Sequence, residues 1–158
     1  MGQIDDLQSR VAMLDKAILA NHRASEVSQR LQTIPGIGLI TASAISATIA
    51  DARAFRSGRH FAAWIGLVPR QSGTGGKVYL GRISKKGDPY LRKLLVLGAT
   101  SVIRYSRNKP GLADWINSLL ARRPARVVTV AVANKLARIA WAVMRRGEKF
   151  KQALSAVA

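Results

Sequence analysis

A glycine-rich, basic stretch from Gly66 to Asp88 separates two regions of helical sequence pattern and constrains the fold of the whole chain. Glycines permit positive φ angles and close approach of the backbone to a ligand. Lysine and arginine among such glycines suit phosphate groups, which backbone amides and cationic side chains can contact together. Solvated surface loops share this composition, so both interpretations are open. The basic residues of the stretch are Arg70, Lys77, Arg82, Lys85 and Lys86.

The distribution of charge favours a polyanionic partner. The 158 residues carry 26 Lys and Arg side chains against 8 Asp and Glu, a formal net charge of +18. The first 50 residues hold four basic and four acidic side chains, so the whole excess lies in residues 51–158. Such a field opposes folding by self-repulsion and attracts nucleic acid before other partners. Binding to a membrane surface is a weaker alternative, because the apolar faces are needed for a core.

The composition predicts a mainly α fold in a reducing compartment. Hydrophobic residues make up 48% of the chain and aromatic residues only 6%, which indicates packed helices rather than disorder. There is no cysteine, so disulfides and thiolate metal sites are excluded. We expect no signal sequence, no run long enough to span a membrane, and a cytoplasmic location.

Residues 1–30 are predicted to form a coiled-coil-like arm, with one long helix over residues 3–30. Its apolar residues alternate in steps of three and four, as in a coiled-coil seam. The balanced charge suits dimerisation or packing rather than DNA contact. Because the seam is shorter than three heptads, two interpretations remain: the seam packs against the chain's own helices, or it associates with a second copy. The seam consists of Ile4, Leu7, Val11, Leu14 and Ile18.

The segment Pro35–Gly38 reads Pro-Gly-Ile-Gly and lies between two helical patterns. A helix rich in small residues follows it, as in a helix-hairpin-helix motif. Gly36 and Gly38 would let the backbone approach a phosphate, and the next helix would present free amides to it. The apolar Ile34 and Ile37 would hold the turn in the core. An ordinary turn between two helices is the alternative interpretation.

A closing helical bundle is predicted around and after the basic stretch. A short helix begins near Ser57, with Phe61, Trp64 and Ile65 facing inward. Residues 78–80 and 82–84 are able to pair as a short β-hairpin or to lie extended. Asp88 as N-cap and Pro89 at the first position start a helix that runs to about residue 107. Its predicted apolar face is Leu91, Leu94, Leu95, Gly98, Val102 and Tyr105.

Two further helices complete the predicted bundle. The first covers residues 112–121, and the second is a long helix from Ala125 that ends at Gly147. Residues 31–147 would form one domain, and residues 148–158 a frayed tail. Arg92 and Lys93, in the first turn of the helix after Pro89, oppose the helix dipole, which makes sense if a phosphate lies there. The inward residues of the long helix are Val128, Val132, Leu136, Ile139, Ala140 and Val143.

A metal centre within this sequence is not expected. Two-metal nucleases need several carboxylates that converge on one site, and the eight acids show no such spacing. His22 and His60 have no carboxylates at ligand spacing, and His60 is interpreted as a surface or cap residue. The remaining chemistry is nucleophilic: the hydroxyls of Ser72 and Thr74 lie among glycines and cations that would stabilise a phosphoryl-transfer transition state. Turn hydroxyls more often cap backbone amides.

Taken together, the motifs over about residues 1–147 resemble the C-terminal part of a family of bacterial insertion-sequence transposases. These enzymes carry a RuvC-like DEDD domain followed by a serine-containing transposase domain, and are known as bridge-RNA-guided recombinases. The residues that carry the resemblance are Ile34–Gly38 with Ala42, Phe55–Arg59, Ala63–Gln71, Gly75–Lys77, Leu80–Asp88 and Tyr90–Arg92.

The resemblance implies a DNA-binding recombinase domain whose serine attacks a DNA phosphate. It implies DNA as partner, a guide RNA as a further partner, a homo-oligomer formed through the N-terminal helix, and a nucleoid location. The RuvC-like carboxylates are absent from this sequence, so Mg²⁺ is expected only with that domain, and the chain would not complete strand exchange alone. Counted back from Lys77, the position of the family serine falls on Gly73 or Thr74. Ser72 takes the role only if the loop shifts, so Ser72 and Thr74 are joint candidates for the nucleophile. A non-catalytic, architectural or RNA-associated helix-hairpin-helix protein is the alternative.

Overall fold

A computed structural model describes residues 2–105 and 112–151, and this part of the chain is mainly helical, as predicted, with 69% helix. Its seven α-helices surround no large sheet; the one sheet described has two antiparallel strands. A 3-10 helix, Ala52–Ala54, precedes the fourth helix. The elements are α1 Gly2–Ala24, α2 Glu26–Gln32, α3 Leu39–Thr48, α4 Gly58–Ile65, β1 Pro69–Thr74, β2 Lys77–Ile83, α5 Pro89–Tyr105, α6 Leu112–Leu120 and α7 Ala125–Arg146.

The prediction of one long N-terminal helix is wrong, because the helix breaks at Ser25. This residue is extended, with φ −105° and ψ 106°, and its side chain accepts a hydrogen bond from the Ser28 amide. Ser25 is therefore the N-cap of a new helix, α2. A buried hydrogen bond of 2.7 Å between His22 Nδ1 and Ser28 Oγ joins the two helices across the break.

The apolar seam of α1 does not pack against the described helices of its own chain. Ile4, Leu7, Val11 and Leu14 are between 57% and 66% exposed, and only Ile18 is half-buried. An exposed apolar stripe of this kind marks an interaction surface more often than a solvated one. Of the two interpretations left open by the sequence, packing within the chain therefore fails for the first four seam residues.

The hydrophobic core is built around α7, which contacts α2, α4, α5, α6 and the 3-10 helix. All six residues predicted to face inward on α7 are buried. Among the described residues, α7 is also the one helix long and apolar enough to cross a membrane by length and composition, so the prediction of no such run is wrong. Half of its apolar window is buried within the fold, as expected for a central core helix.

Two aromatic residues lie outside the core, contrary to prediction. The predicted short helix begins directly after Ser57, and Phe61 and Ile65 are buried, but Trp64 is 39% exposed. Tyr105, at the end of α5, is 74% exposed and does not extend the apolar face of that helix. Trp64 lies at the edge of the buried face of α4, and Tyr105 is the last residue of α5.

The chain after α7 folds back onto the N-terminal half. Gly147 ends α7 in the left-handed conformation with φ 69°, as predicted for its C-terminus. The Phe150 amide then donates a hydrogen bond of 2.8 Å to Thr33 Oγ1, and the Phe150 ring packs against the core. Phe150, within the predicted frayed tail, is thus held to the domain. Residues 152–158, and residue 107 at the predicted end of α5, lie outside the described residues.

Candidate nucleic-acid interface

The glycine-rich stretch forms a two-stranded antiparallel ribbon, which we call the basic hairpin (residues 69–83). β1 pairs with β2, and Thr74 faces Lys77 across a two-residue turn. Gly75 and Gly76 have φ angles of 61° and 79°, the positive values that a type I′ turn requires at both central positions. Of the two predicted arrangements of residues 78–80 and 82–84, pairing with each other is wrong, and the extended one is confirmed for residues 78–80 and 82–83, which belong to the same strand, β2.

A return segment (residues 84–88) fixes the base of the hairpin against the end of α4. The Ser84 amide donates to the Val68 carbonyl at 2.8 Å, and the Lys85 amide donates to the Gly66 carbonyl at 3.1 Å. Gly66 and Gly87 both have positive φ, and a Cβ on either would overlap a backbone oxygen of the opposite segment. Glycine is required at these two positions because two stretches of backbone touch there.

The cations of the hairpin and return segment face solvent without acidic partners. Arg70, Lys77, Arg82, Lys85 and Lys86 are all exposed, and none forms an ion pair within residues 2–105 and 112–151. Arg70 Nη2 donates to the Ser84 carbonyl at 3.2 Å, which ties this side chain to the return segment. Two ion pairs among the described residues, Arg10–Asp6 and Arg30–Glu26, lie on α1 and α2. Five of the 22 basic side chains in residues 51–158 are thus exposed on a protruding ribbon and its return segment.

The two candidate nucleophiles lie on β1 near the tip of the hairpin. Ser72 is exposed and pairs with Tyr79, while Thr74 pairs with Lys77, so Ser72 shares a ribbon face with Lys77. The Ser72 hydroxyl forms no hydrogen bond within the described residues, and the Thr74 side chain lies outside them. A Cβ at Gly73 would lie 2.9 Å from the Lys77 carbonyl oxygen. A serine at position 73 would therefore need the turn to shift, which leaves Ser72 and Thr74 as the candidates.

The first turn of α5 carries two cations, of which one is exposed and the other is hydrogen-bonded within the fold. Asp88 Oδ1 accepts hydrogen bonds from the amides of Tyr90 and Leu91, at 2.8 and 3.0 Å, as predicted for an N-cap. Arg92 is half-buried, and its Nη1 donates to the Ile65 carbonyl at the end of α4 at 2.9 Å. This contact accounts for Arg92 without a phosphate, because a cation at a helix C-terminus is favourable. Lys93 is exposed and keeps no such partner.

The Pro-Gly-Ile-Gly turn joins α2 to α3, and its two glycines have different environments. Gly36 has φ 85°, and a Cβ there would lie 2.5 Å from Val102 Cγ2 and 2.8 Å from the Gly98 carbonyl oxygen. Gly36 is therefore needed for packing against α5. Gly38 is the exposed N-cap position of α3, and no neighbouring atom lies within 4 Å of a Cβ there. Ile34 and Ile37 are buried, as predicted.

Within the described residues, no three His, Cys, Asp or Glu side chains come together in a way that could hold a metal ion. The acidic residues are dispersed: Asp51 and Asp88 cap helices, and Asp6 and Glu26 pair with arginines on their own helices. These residues do not fit a Mg²⁺ site. The chemistry that the described geometry offers is anion binding by cations and amides, with hydroxyls nearby.

Sequence comparison decides the family. The model of the "Transposase IS116/IS110/IS902 family" matches residues 28–113, more than half of the chain and the part that contains the Pro-Gly-Ile-Gly turn and the basic hairpin. The chain belongs to this transposase family.

Individual relatives agree with the family assignment. A "Probable family 20 transposase" of Pseudomonas aeruginosa is 52% identical over 145 residues, which are 91% of this chain and 43% of that protein. The "Transposase for insertion sequence element IS1328" of Yersinia enterocolitica is 49% identical over 85% of this chain and 41% of its own length. A "Pilin gene-inverting protein" of Moraxella bovis is 30% identical over 82% of this chain and 39% of its own length. The chain thus spans about two fifths of the length of these relatives.

Two features of this transposase-family chain were missed by sequence reasoning. The first is the close contact between Gly36 and Gly98. The presence of a glycine, Gly98, within the apolar face of α5 was the one sequence feature that could have indicated it. The second is the exposure of Trp64 beside the return segment, where Gly87 packs against the Trp64 carbonyl. The helical period could not reveal it, because the position lies at the edge of the buried face.

Proposed function

We propose that this chain binds DNA through the basic hairpin and forms the strand-transfer part of a longer transposase. The observation that carries the proposal is the ribbon itself: five exposed cations on a protruding hairpin and its return segment, with no acidic partner among the described residues. A two-stranded ribbon of this shape can enter a DNA groove, and cations along it would contact phosphates on both sides. Family membership supports DNA as the polyanion.

In the proposed reaction, the hydroxyl of Ser72 or Thr74 attacks a DNA phosphate and forms a covalent protein–DNA phosphodiester. One P–O bond to a deoxyribose breaks, and that oxygen leaves as the free hydroxyl of the cut strand after taking up the proton that the attacking hydroxyl gives up. Ser72 is exposed on the ribbon face that also carries Lys77, so a bound phosphate could approach both. The cations would stabilise the charge of the transition state. Because the described acids do not fit a Mg²⁺ site, metal-dependent steps would require carboxylates supplied from elsewhere, such as the RuvC-like domain that the resemblance implies. We therefore expect DNA binding without efficient strand exchange by this chain alone.

The open face of the Pro-Gly-Ile-Gly turn is proposed as an auxiliary DNA contact. Gly38 is exposed at the start of α3, whereas Gly36 and Ile37 are engaged in packing. Free helix-start amides bind phosphate regardless of base sequence.

A guide RNA and a nucleoid location, both implied by the resemblance, complete the proposal.

A homo-oligomer formed through α1 is part of the same proposal. The seam residues Ile4, Leu7, Val11 and Leu14 are exposed along one face of a 23-residue helix whose charges balance. Burial of such a stripe against the same stripe of a second copy is the favourable arrangement of a coiled coil.

The experiment that tests the proposal measures duplex DNA affinity against salt concentration. Each phosphate contact contributes a slope of about −0.9 in a plot of log affinity against log salt on duplex DNA. We expect the double variant Lys77→Ala, Arg82→Ala to weaken binding and to lower the slope by roughly 1 to 2. Lys16→Ala is the matched control, because Lys16 is an exposed cation on the charge-balanced α1. Equal effects of the two sets of substitutions would refute a hairpin interface.

The alternative function is non-catalytic nucleic-acid binding, and one observation favours it. No general base contacts the Ser72 hydroxyl within the described residues. Covalent trapping on a nicked duplex separates the two functions, with Ser72→Ala and Thr74→Ala as controls. An adduct lost in one of these variants identifies the nucleophile, whereas no adduct supports the architectural alternative.

A further inference from the structure

The outward face of α4 carries a second set of groups suited to nucleic acid, apart from the basic hairpin. Phe61, Ala62 and Ile65 form the buried face of α4, and the opposite face exposes Arg59, His60 and Trp64. These three side chains lie within two turns of one helix, because His60 and Trp64 are four residues apart and Arg59 precedes them.

The Trp64 ring is held in a fixed position although it is exposed. It lies 5.5 Å from the Phe55 ring in an edge-to-face arrangement, and 6.2 Å from the Phe61 ring with an interplanar angle of 12°. Gly87 packs against the Trp64 carbonyl, so its backbone is fixed as well. Of the three tryptophans, it alone is among the exposed large hydrophobic residues. An indole held rigid and open to solvent is prepared for a planar partner.

Cations border this aromatic surface at both ends of α4. At its start, Arg59 lies near Arg138 of α7, and a Cβ on Gly58 would lie 3.2 Å from the Arg138 Cα. Burial, and then the charge of Arg59, lower the pKa of Arg138 from its ordinary value. At its end, the return segment brings Lys86 against Gly66. None of these cations forms an ion pair within the described chain, and an eight-residue helix separates the two ends by about 12 Å.

We propose that the outward face of α4 binds single-stranded nucleic acid, with an unpaired base stacked on Trp64 and phosphates held by Arg59, Arg138 and Lys86. An exposed indole offers little to an intact duplex, whose bases already stack on one another. Single strands expose their base faces, and proteins bind them through aromatic platforms that alternate with cations. DNA and RNA strands share this chemistry, so the proposal covers both sources. It rests on the proposed function only in taking nucleic acid as the partner.

The test uses Trp64→Leu in the full chain, which keeps apolar cover over Phe55 and Phe61 but removes the stacking plane. Affinity is measured for single-stranded DNA, single-stranded RNA, a duplex, and an abasic single strand of the same length. We expect a loss of about 5- to 100-fold on a base-bearing strand, with affinity for the duplex and the abasic strand unchanged. Tyr105→Leu, which removes another exposed aromatic ring, should change none of these affinities.

A loss confined to DNA or to RNA supports the site and identifies its ligand. An unchanged affinity for both base-bearing strands overturns it, and so does an equal loss on the abasic strand. If Trp64→Leu does not fold, tryptophan fluorescence of the unaltered chain decides: quenching by the base-bearing strand but not by the abasic strand is expected, and no difference refutes the site. The hairpin variants Lys77→Ala and Arg82→Ala test the proposed function separately, because they should weaken duplex binding whatever Trp64 does.

Discussion

Replacement of Gly98 by alanine tests the central packing contact of the fold, because two physical effects have opposite signs there. Gly98 lies inside α5, where alanine is more favourable than glycine by about 1 kcal/mol. In the structure, however, a Cβ on Gly98 would overlap the Gly36 carbonyl oxygen and approach the Gly36 carbonyl carbon to 3.1 Å. Both contacted atoms are backbone atoms, and Gly36 lies between the buried Ile34 and Ile37, so the turn cannot move away easily.

The structure therefore predicts that Gly98→Ala destabilises the protein. Overpacking of a tight contact costs roughly 1 to 3 kcal/mol, and overlap with backbone falls at the upper end of that range. After the gain in helix propensity of about 1 kcal/mol, the net loss is about 2 kcal/mol. For a domain of this size, each kcal/mol lowers Tm by roughly 2–4 °C, so we expect a decrease of about 4–8 °C.

The assay is urea unfolding followed by far-ultraviolet circular dichroism, with the midpoint and the slope m fitted separately. Leu97→Ala is the matched control on the same helix, because Leu97 is exposed and its replacement should change the unfolding free energy by less than about 0.5 kcal/mol. An unchanged m with a lower midpoint would confirm a pure loss of stability. A Gly98→Ala variant that is more stable than the parent would refute the close contact between the turn and α5.

Two further predictions concern the start of α5 and the exposed seam of α1. Asp88→Ala should reduce the unfolding free energy by about 1 kcal/mol, because two amides of the first turn lose their acceptor; Asp15→Ala, at an exposed position on α1, should have little effect, and equal losses would contradict the cap. Leu7→Gln should shift the chain toward monomer in sedimentation experiments, whereas Met13→Gln, equally exposed but off the seam, should not. A monomeric parent chain would contradict an α1 interface.

Periodicity predicted the buried elements of this fold well, for a physical reason. In α7, every residue assigned inward is buried, because this helix is surrounded by neighbours and its apolar spacing is the direct record of that packing. Local caps were equally readable at Asp88 and Gly147, since each depends on hydrogen bonds or φ angles within a few residues. Information that is local or periodic was therefore present in the sequence.

The failures concern contacts that the periodic pattern does not record. The break at Ser25 depends on the Ser25 side chain as N-cap and on the buried contact between His22 and Ser28, for which the pattern gave no signal. Trp64 lies at the edge of the buried face of α4, where the helical period does not separate buried from exposed positions. Gly36 packs against Gly98, 62 positions further along the chain, and the turn motif alone gave no sign of this contact.

The basic hairpin depends on contacts with residues that lie outside the range matched by the family model. The matched residues 28–113 contain the turn and the basic hairpin but none of α7. The Asn134 side chain donates to the Leu67 carbonyl at 3.1 Å just before β1, and Gly58 packs against Arg138. The hairpin is thus anchored by a helix outside the matched range, and a two-stranded ribbon has little stability of its own. DNA binding should therefore depend on α7 as well, although α7 carries none of the hairpin's cations.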